Sequence, residues 1–143
     1  MTSDKATSVM AFDYGTKRIG VAVGQTASRT AKALKALAAI HGNPQWHQVA
    51  RLVDEWAPDV FVVGMPTYDD RRPHPLRGEI ERFARRLSGR YKLPVEFVDE
   101  RLSSFEAAHD TLAVGAPIDA AAARSILLTW LERAPAPAMA GDQ

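Results

Sequence analysis

Two short apolar runs joined by a glycine turn, with one carboxylate between them, constrain the fold of this chain more than any other feature. Residues 9–12 and 19–23 are almost entirely apolar, as is typical of buried strands. Asp13 directly follows the first run, and Gly15 permits a tight turn that returns the second run beside the first. The pattern therefore predicts a β-hairpin with Asp13 at the end of a buried strand. There Asp13 could bind a divalent cation or satisfy the backbone of the turn, and these residues alone leave both interpretations open.

Length and cysteine content exclude several protein classes. A chain of 143 residues is one domain, too short for the second lobe with which sugar kinases and actin-like ATPases enclose a nucleotide. The chain has no cysteine, which excludes a disulfide scaffold, a thiol nucleophile and the usual cysteine-type zinc site. No apolar stretch reaches about 18 residues, and the start lacks the apolar segment of a signal peptide. We therefore expect a cytoplasmic protein with no membrane partner.

The remaining apolar pattern predicts an alternation of strands and helices. The stretch near 30–37 is predicted as a strand, although its alanine and lysine content would also suit a helix. Two further strands are predicted at 60–63 and 95–98. Four helices are predicted: one that Asn43 caps and Pro44 begins, one with apolar positions within 76–87, one after a capping box at 103–106, and a last one over about 119–132. This order indicates an α/β sheet covered on both faces. We expect one domain over 8–133, flanked by disordered tails at 1–7 and 134–143.

Positive charge is concentrated in one segment of a nearly neutral chain. The formal net charge is +1, but residues 71–92 contain eight basic side chains against two glutamates, a net charge of +6. Arg82, Arg85 and Arg86 fall on one face of the predicted helix. Such a face is either a solvated helix surface or a track for phosphates. Few aromatic residues are interleaved with these charges, so this segment alone does not indicate base stacking.

The acidic residues follow strand ends and a helix start. Side chains alternate along a strand, so Glu100 shares a face with Val98 while Asp99 takes the other, and only one of the two acids can readily join a common site. Asp119 is predicted on the stripe of the last helix that faces the protein, although an aspartate after Pro117 is also a good N-cap. Asp99 and Glu100 could also form ion pairs with the adjacent arginine. Because ligand sites in open α/β sheets lie at the carboxyl ends of strands, these acids could converge.

Four sequence blocks, in order, resemble the signature blocks of the YqgF/RuvX family. They are Phe-Asp-Tyr-Gly-Thr-Lys-Arg-Ile-Gly-Val-Ala at 12–22, Val-Val-Gly-Met-Pro at 62–66, Asp-Glu-Arg-Leu-Ser-Ser at 99–104, and Asp119 followed by Ala-Ala at 121–122 and Ile-Leu at 126–127. The resemblance extends over about residues 9–133. It implies a ribonuclease H-like α/β fold with a mixed five-stranded sheet flanked by helices. It also implies a relation to Holliday-junction resolvases and a role as a nuclease that matures the 5′ end of pre-16S ribosomal RNA.

The resemblance implies an acidic site of Asp13, Glu100 and Asp119. Phosphodiester hydrolysis needs an activated water and charge neutralisation, which two Mg²⁺ or Mn²⁺ ions about 3.5 to 4 Å apart can provide when carboxylates hold them. In that arrangement Asp13 bridges the ions and each of the other two acids completes one ion's shell. Candidates for phosphate contacts, each of which could instead be a solvated cation, are Lys17, Arg18 and Arg101.

The implied partner is nucleic acid, either structured precursor ribosomal RNA or branched DNA. A homodimer is a further possibility that this fold suggests. The alternative to a nuclease is a non-catalytic ribonuclease H-like module that binds nucleic acid. Retention of all three acids favours the nuclease, because uncompensated carboxylates repel a phosphate chain.

One loop departs from the family pattern. Where the family usually has Asp-Gly after Gly-Met-Pro, this chain has Asp70 followed by Arg71. A glycine can supply a positive φ there that arginine rarely adopts, so the loop conformation is expected to differ. Whether Asp70 or Asp99 also assists metal binding is left open by the sequence.

Overall fold

A mixed β-sheet with helices on both faces forms the framework of the chain. The computed structural model describes residues 7–68, 74–102 and 118–133. The elements are β1 (Ser8–Asp13), β2 (Arg18–Gln25), β3 (Thr30–Ile40), β4 (Asn43–Pro44), α1 (Trp46–Trp56), β5 (Val60–Tyr68), α2 (Arg77–Tyr91), β6 (Val95–Leu102) and α3 (Ile118–Arg133). Over these residues the strand order in the sheet is β4-β3-β2-β1-β5-β6.

The pairing of β1 confirms the predicted hairpin and aligns three strand ends. β1 pairs antiparallel with β2, from Ser8 opposite Gln25 to Asp13 opposite Gly20. On its other side β1 pairs parallel with β5, and β5 pairs parallel with β6. Because β1, β5 and β6 run in the same direction, their carboxyl ends lie at one edge of the sheet. We call this edge the carboxyl edge.

Alternation along the strands divides the core between the two faces of the sheet. On one face, Phe12 of β1 packs against Phe61 of β5 and Phe83 of α2, with ring centroids 5.8 and 5.4 Å apart. We call this the α2 face; α1 packs on it too. On the opposite face, which we call the α3 face, Val9 and Ala11 of β1 belong to the cluster that contains the buried residues of α3. Odd-numbered residues of β1 therefore lie on the α3 face.

The three described helices are held by their apolar sides. α1 buries Val49 and Leu52, and α2 buries four residues that include Phe83. α3 spans 118–133, close to the predicted 119–132. Arg29 of the β2–β3 turn donates a hydrogen bond to the carbonyl of Leu131, so the last turns of α3 lie at the edge opposite the carboxyl edge. The amino end of α3 is therefore at the carboxyl edge. Within the described parts of the chain, no helix combines the length and the apolar character that a membrane crossing requires.

The predicted start of the first helix was wrong. Asn43 and Pro44 form the short strand β4 opposite Ile40 and Ala39, and α1 begins at Trp46. The cause is Gly42, whose φ of 81° turns the chain back on β3 so that Asn43 continues the sheet. This short strand makes the observed sheet six-stranded, whereas we predicted five strands. The helix predicted after the capping box at 103–106 lies outside the described residues.

Candidate active site

Asp13 is the last residue of β1 and lies at the carboxyl edge. Its side chain is half-buried, and its position in the alternation puts it on the α3 face with Val9 and Ala11. The preceding residue, Phe12, pairs with Val63 of β5. The parallel register therefore brings Asp13 level with Gly64.

Glu100 comes from β6 to the same face and the same edge. It is half-buried, pairs with Pro66, and shares its side of the strand with Val98, which is only 1% exposed and packs in the α3-face cluster. β1 and β6 are separated by β5, so their backbones are about 10 Å apart. The long Glu100 side chain lies over the intervening strand, towards β1, at Gly64.

Gly64 makes room for this carboxylate. A Cβ atom at position 64 would lie 2.8 Å from Oε1 of Glu100 and 2.5 Å from Cδ1 of Ile126. Both distances are shorter than van der Waals contact, so a larger residue would displace the carboxylate or the helix side chain. The absence of a side chain at Gly64 thus allows the carboxylate of Glu100 to lie between β6 and β1. The sequence contained this glycine in a family block, but its role depends on a contact that only the fold reveals.

Asp99 does not lie with these acids. It is exposed on the α2 face, where its Oδ1 accepts a hydrogen bond of 2.8 Å from Oγ1 of Thr67. The strand alternation that brings Glu100 to the α3 face turns Asp99 away from it. Asp70, the other additional acid considered, is outside the described residues.

Asp119 is the second residue of α3, whose amino end is at the carboxyl edge. It precedes Ile126, the residue in contact with the Gly64 position, by seven residues, or about two helical turns. The helix backbone therefore puts Asp119 at the same edge as Asp13 and Glu100. Its side chain, like that of Arg101, is outside what the structure describes, so the third carboxylate of the site stays a prediction.

The donor set suits a hard divalent cation. Mg²⁺ and Mn²⁺ prefer oxygen ligands such as carboxylates, and the space over Gly64 keeps one carboxylate close to the neighbouring strand. Among the described side chains, which leave out that of Asp119, no three acids, histidines or cysteines are grouped as metal ligands. A complete cation site of the predicted kind therefore requires the Asp119 side chain.

The β1–β2 turn brings two predicted phosphate contacts to the carboxyl edge. Lys17 and Arg18 are exposed there. The turn is held by backbone hydrogen bonds from Ala39 to the carbonyl of Lys17, at 2.8 Å, and from Gly42 to that of Thr16, at 2.9 Å. These bonds fix the backbone of the turn relative to β3 and β4, at the edge where β1 ends in Asp13.

A hydrogen bond from Tyr14 fixes the amino end of α2 at the same edge. The hydroxyl of Tyr14, which directly follows Asp13, donates to Oε1 of Glu79 at 3.0 Å. Burial, and then the hydrogen bond and the negative charge of Glu79, raise the pKa of Tyr14 to about 12. Gly42 is needed for this contact, because a Cβ there would lie 1.8 Å from the Tyr14 hydroxyl oxygen.

The predicted basic helix therefore begins at the carboxyl edge, but on the face opposite the acids. Arg82, Arg85 and Arg86 of α2 are all exposed. The Arg82 and Arg86 charges act on Tyr14, in the direction that lowers its pKa. Arg86 is also held by a hydrogen bond of 2.8 Å from its Nη1 to Oδ1 of Asn43. A substrate that contacts both the acids and these arginines must therefore pass from one face of the sheet to the other.

The sheet order and the two-sided helix packing define the class of this protein as ribonuclease H-like. RuvC of Thermus thermophilus, solved in complex with a Holliday junction substrate, shares this fold: its TM-score is 0.54 at 16% identity, covering 86% of this chain and 92% of that chain.

More specifically, the chain belongs to the RuvX family. The family model described as "RuvX: Holliday junction resolvase" matches residues 7–133. A protein of Azotobacter vinelandii named "Putative pre-16S rRNA nuclease" is 47% identical over 135 residues, covering 90% of this chain and 95% of its own length. A protein of Pseudomonas putida with the same name is 46% identical over 132 residues, covering 87% and 94%. The resemblance of the four sequence blocks is thereby confirmed.

Proposed function

We propose that this protein is a divalent-metal-dependent nuclease that acts in the cytoplasm on the 5′ end of pre-16S ribosomal RNA. The observation that carries the proposal is the placement of Asp13 and Glu100 on one face of one sheet edge, with Gly64 leaving space for the Glu100 carboxylate. The names of relatives that are nearly half identical over most of their length support the substrate.

Asp13, Glu100 and Asp119 would hold Mg²⁺ or Mn²⁺, which when bound supplies charge neutralisation at the scissile phosphate and activation of the attacking water. The chain's own contribution is to hold the carboxylates in place before substrate arrives. Half-burial restricts the side chains of Asp13 and Glu100, and both acids come from strands of the central sheet. Lys17, Arg18 and Arg101 would contact phosphates next to the scissile bond and so orient the strand.

Resolution of branched DNA is the second candidate activity. The description of the matching family model favours it. Both activities require the same acids and the same bond cleavage, so the substrate rather than the site separates them. A non-catalytic module would bind either nucleic acid and cleave neither.

A direct comparison of the two substrates tests the proposal. The purified protein is incubated with 5′-labelled precursor 16S RNA and, separately, with a labelled four-way DNA junction, each in Mg²⁺, Mn²⁺ and EDTA. We expect the RNA to be shortened at its 5′ end with either cation and to stay intact in EDTA. Cleavage of the junction alone would favour the second activity, and binding without cleavage of either substrate would contradict a nuclease.

A further inference from the structure

An aromatic ring lies exposed beside the basic helix α2. Phe97 of β6 is 45% exposed, and within the described part of the chain only Ile40 is another large apolar side chain with comparable exposure. Phe97 lies in a groove of about 470 Å³ between α2 and β6. The groove is lined by Glu81, Ala84, Arg85, Ser88, Val95 and Phe97. The fold thus places an exposed aromatic ring beside the basic segment, whose own aromatic residues, Phe83 and Tyr91, are buried and half-buried.

A second groove adjoins the first at Arg85. It has a volume of about 450 Å³ and is lined by His41, Pro75, Gly78, Glu79, Arg82 and Arg85. Arg85 lines both grooves, so they adjoin along α2, and together they extend from the β3–β4 turn to the edge strand β6. We call the two grooves together the α2 track.

The charges of the α2 track favour an anionic occupant. Glu81 forms an ion pair of 3.2 Å with Arg77, while Glu79 keeps its charge and accepts the hydrogen bond of Tyr14, so Arg77, Arg82 and Arg85 together outweigh the two glutamates. Arg82 and Arg85 are exposed. The track therefore offers positive charge at Arg85 and an apolar ring surface beside it.

We propose that the α2 track binds a single-stranded nucleic-acid segment next to the cleavage site, with phosphates at Arg82 and Arg85 and a base stacked on Phe97. Paired basic and aromatic side chains are the usual means of holding single strands, since every base has a face that can stack. A base within a duplex is not free to stack on a protein ring. Phe97 precedes Glu100 by three residues, or about 10 Å along β6, but faces the opposite side of the sheet, so a strand that occupies both sites passes from the α2 face to the α3 face. The inference rests on the proposed function, which makes nucleic acid the occupant.

Binding of the full-length protein to a fluorescein-labelled single-stranded RNA in EDTA tests the proposal without cleavage. Fluorescence anisotropy is measured for the wild type, Phe97→Leu and Arg85→Ala, with Arg133→Ala as the control for an exposed arginine outside the track. We expect Phe97→Leu to weaken single-strand binding by roughly 5- to 100-fold and to leave duplex binding within about twofold. Arg133→Ala should bind as the wild type does.

Leucine keeps an apolar side chain at position 97 but removes the aromatic face. Equal single-strand affinity of Phe97→Leu and wild type would overturn the proposal, as would an equal loss for duplex RNA. A change in self-association measured by sedimentation, without a change in RNA binding, would instead assign the groove to contact with a second copy and would also overturn it. An emission change of an RNA containing 2-aminopurine, present in the wild type and absent in Phe97→Leu, would support base stacking.

The result is separable from the test of nuclease activity. If single-strand binding depends on Phe97 but the wild type cleaves no nucleic acid, the α2 track stands and the nuclease fails. If the wild type cleaves RNA and Phe97→Leu binds normally, the nuclease stands and the α2 track fails. A melting temperature of Phe97→Leu close to that of the wild type, expected for a half-exposed side chain, shows that the variant is folded in either case.

Discussion

The carboxylate of Glu100 occupies space that a side chain at Gly64 would take: a Cβ there would lie 2.8 Å from Oε1. Gly64→Ala should therefore displace Glu100 and Ile126, whose Cδ1 would be 2.5 Å from the new atom. Because both contacts are to the ends of flexible side chains, we expect a modest loss of stability, about 1 to 2 kcal/mol. The rate of cleavage should fall by more than this loss of stability explains, since the displaced carboxylate is a proposed metal ligand. Chemical denaturation and single-turnover cleavage measure the two effects.

Gly89→Ala is the matched control for this substitution. Gly89 lies in α2 and lines neither groove, and a Cβ there would meet no atom within 4 Å. Alanine at an exposed helix position should stabilise the protein by about 0.5 to 1 kcal/mol and leave cleavage unchanged. Equal cleavage by Gly64→Ala and Gly89→Ala would contradict the role assigned to Gly64.

Burial of Tyr14 and its contact with Glu79 predict that the Tyr14 hydroxyl ionises at a higher pH than an ordinary tyrosine does. The pKa of Tyr14 in the folded protein is about 12, whereas its ordinary value is 10.0. The folded state thus holds this proton more tightly than the unfolded state does. The contribution to stability is fully present below pH 10 and is lost as the pH rises towards 12. Ultraviolet titration should show one phenol ionising near pH 12 that is absent in Tyr14→Phe.

Glu79→Gln separates the causes of this shift. Glutamine retains a hydrogen-bond acceptor but removes the negative charge, so the pKa of Tyr14 should fall while burial, its largest cause, keeps it above 10.0. Loss of the hydrogen bond in Tyr14→Phe should cost about 0.5 to 1.5 kcal/mol in the free energy of unfolding at neutral pH. An unshifted phenol in the wild type would show that Tyr14 does not hold the β1–β2 turn against α2.

The exposed arginines of α2 should appear in the salt dependence of binding. If Arg82 and Arg85 each contact a phosphate, replacing one by alanine should reduce the slope of log affinity against log salt by about 0.7 to 0.9. Arg86 already donates to Asn43, so its replacement should reduce the slope less. Arg133→Ala, at the far end of α3, should leave the slope as in the wild type. Unchanged slopes for Arg82→Ala and Arg85→Ala would show that these arginines contact no phosphate and that this face of α2 is a solvated surface.

The proposed metal site offers only carboxylate oxygens as ligands, and this chemistry predicts which cations support cleavage. Cleavage should require Mg²⁺ or Mn²⁺ and stop in EDTA, and Zn²⁺ should substitute poorly. Calorimetric titration of the metal-free protein with Mn²⁺ should show binding that Asp13→Asn weakens. Full cleavage in EDTA would contradict a metal-dependent mechanism.

The sequence predicted those parts of the fold that depend on local pattern. The hairpin around Asp13, the strand at 60–63 and the last helix follow from apolar spacing, and each was found. Asn43 and Pro44 misled the prediction because their capping preference was outweighed by the turn at Gly42, which continues the sheet.

The candidate site was only partly predictable from the sequence, because local pattern fixes the face of a side chain but not its neighbours. The face of Glu100 follows from strand alternation alone. In contrast, the fit of its carboxylate over Gly64 and the position of Phe97 beside Arg85 depend on which strands and helices become neighbours. Contacts between segments distant in sequence leave no periodic signal in either segment.

Asp13→Asn tests the central claim most directly. Asparagine keeps the size of Asp13 and one acceptor oxygen but removes the charge that a cation site needs. Because repulsion between neighbouring carboxylates also decreases, the variant should be as stable as the wild type, or slightly more stable, in metal-free buffer. We predict that cleavage of precursor RNA in Mg²⁺ falls by orders of magnitude while the melting temperature is maintained. Near-normal cleavage by Asp13→Asn, or a loss that occurs only because the variant unfolds, would contradict the account.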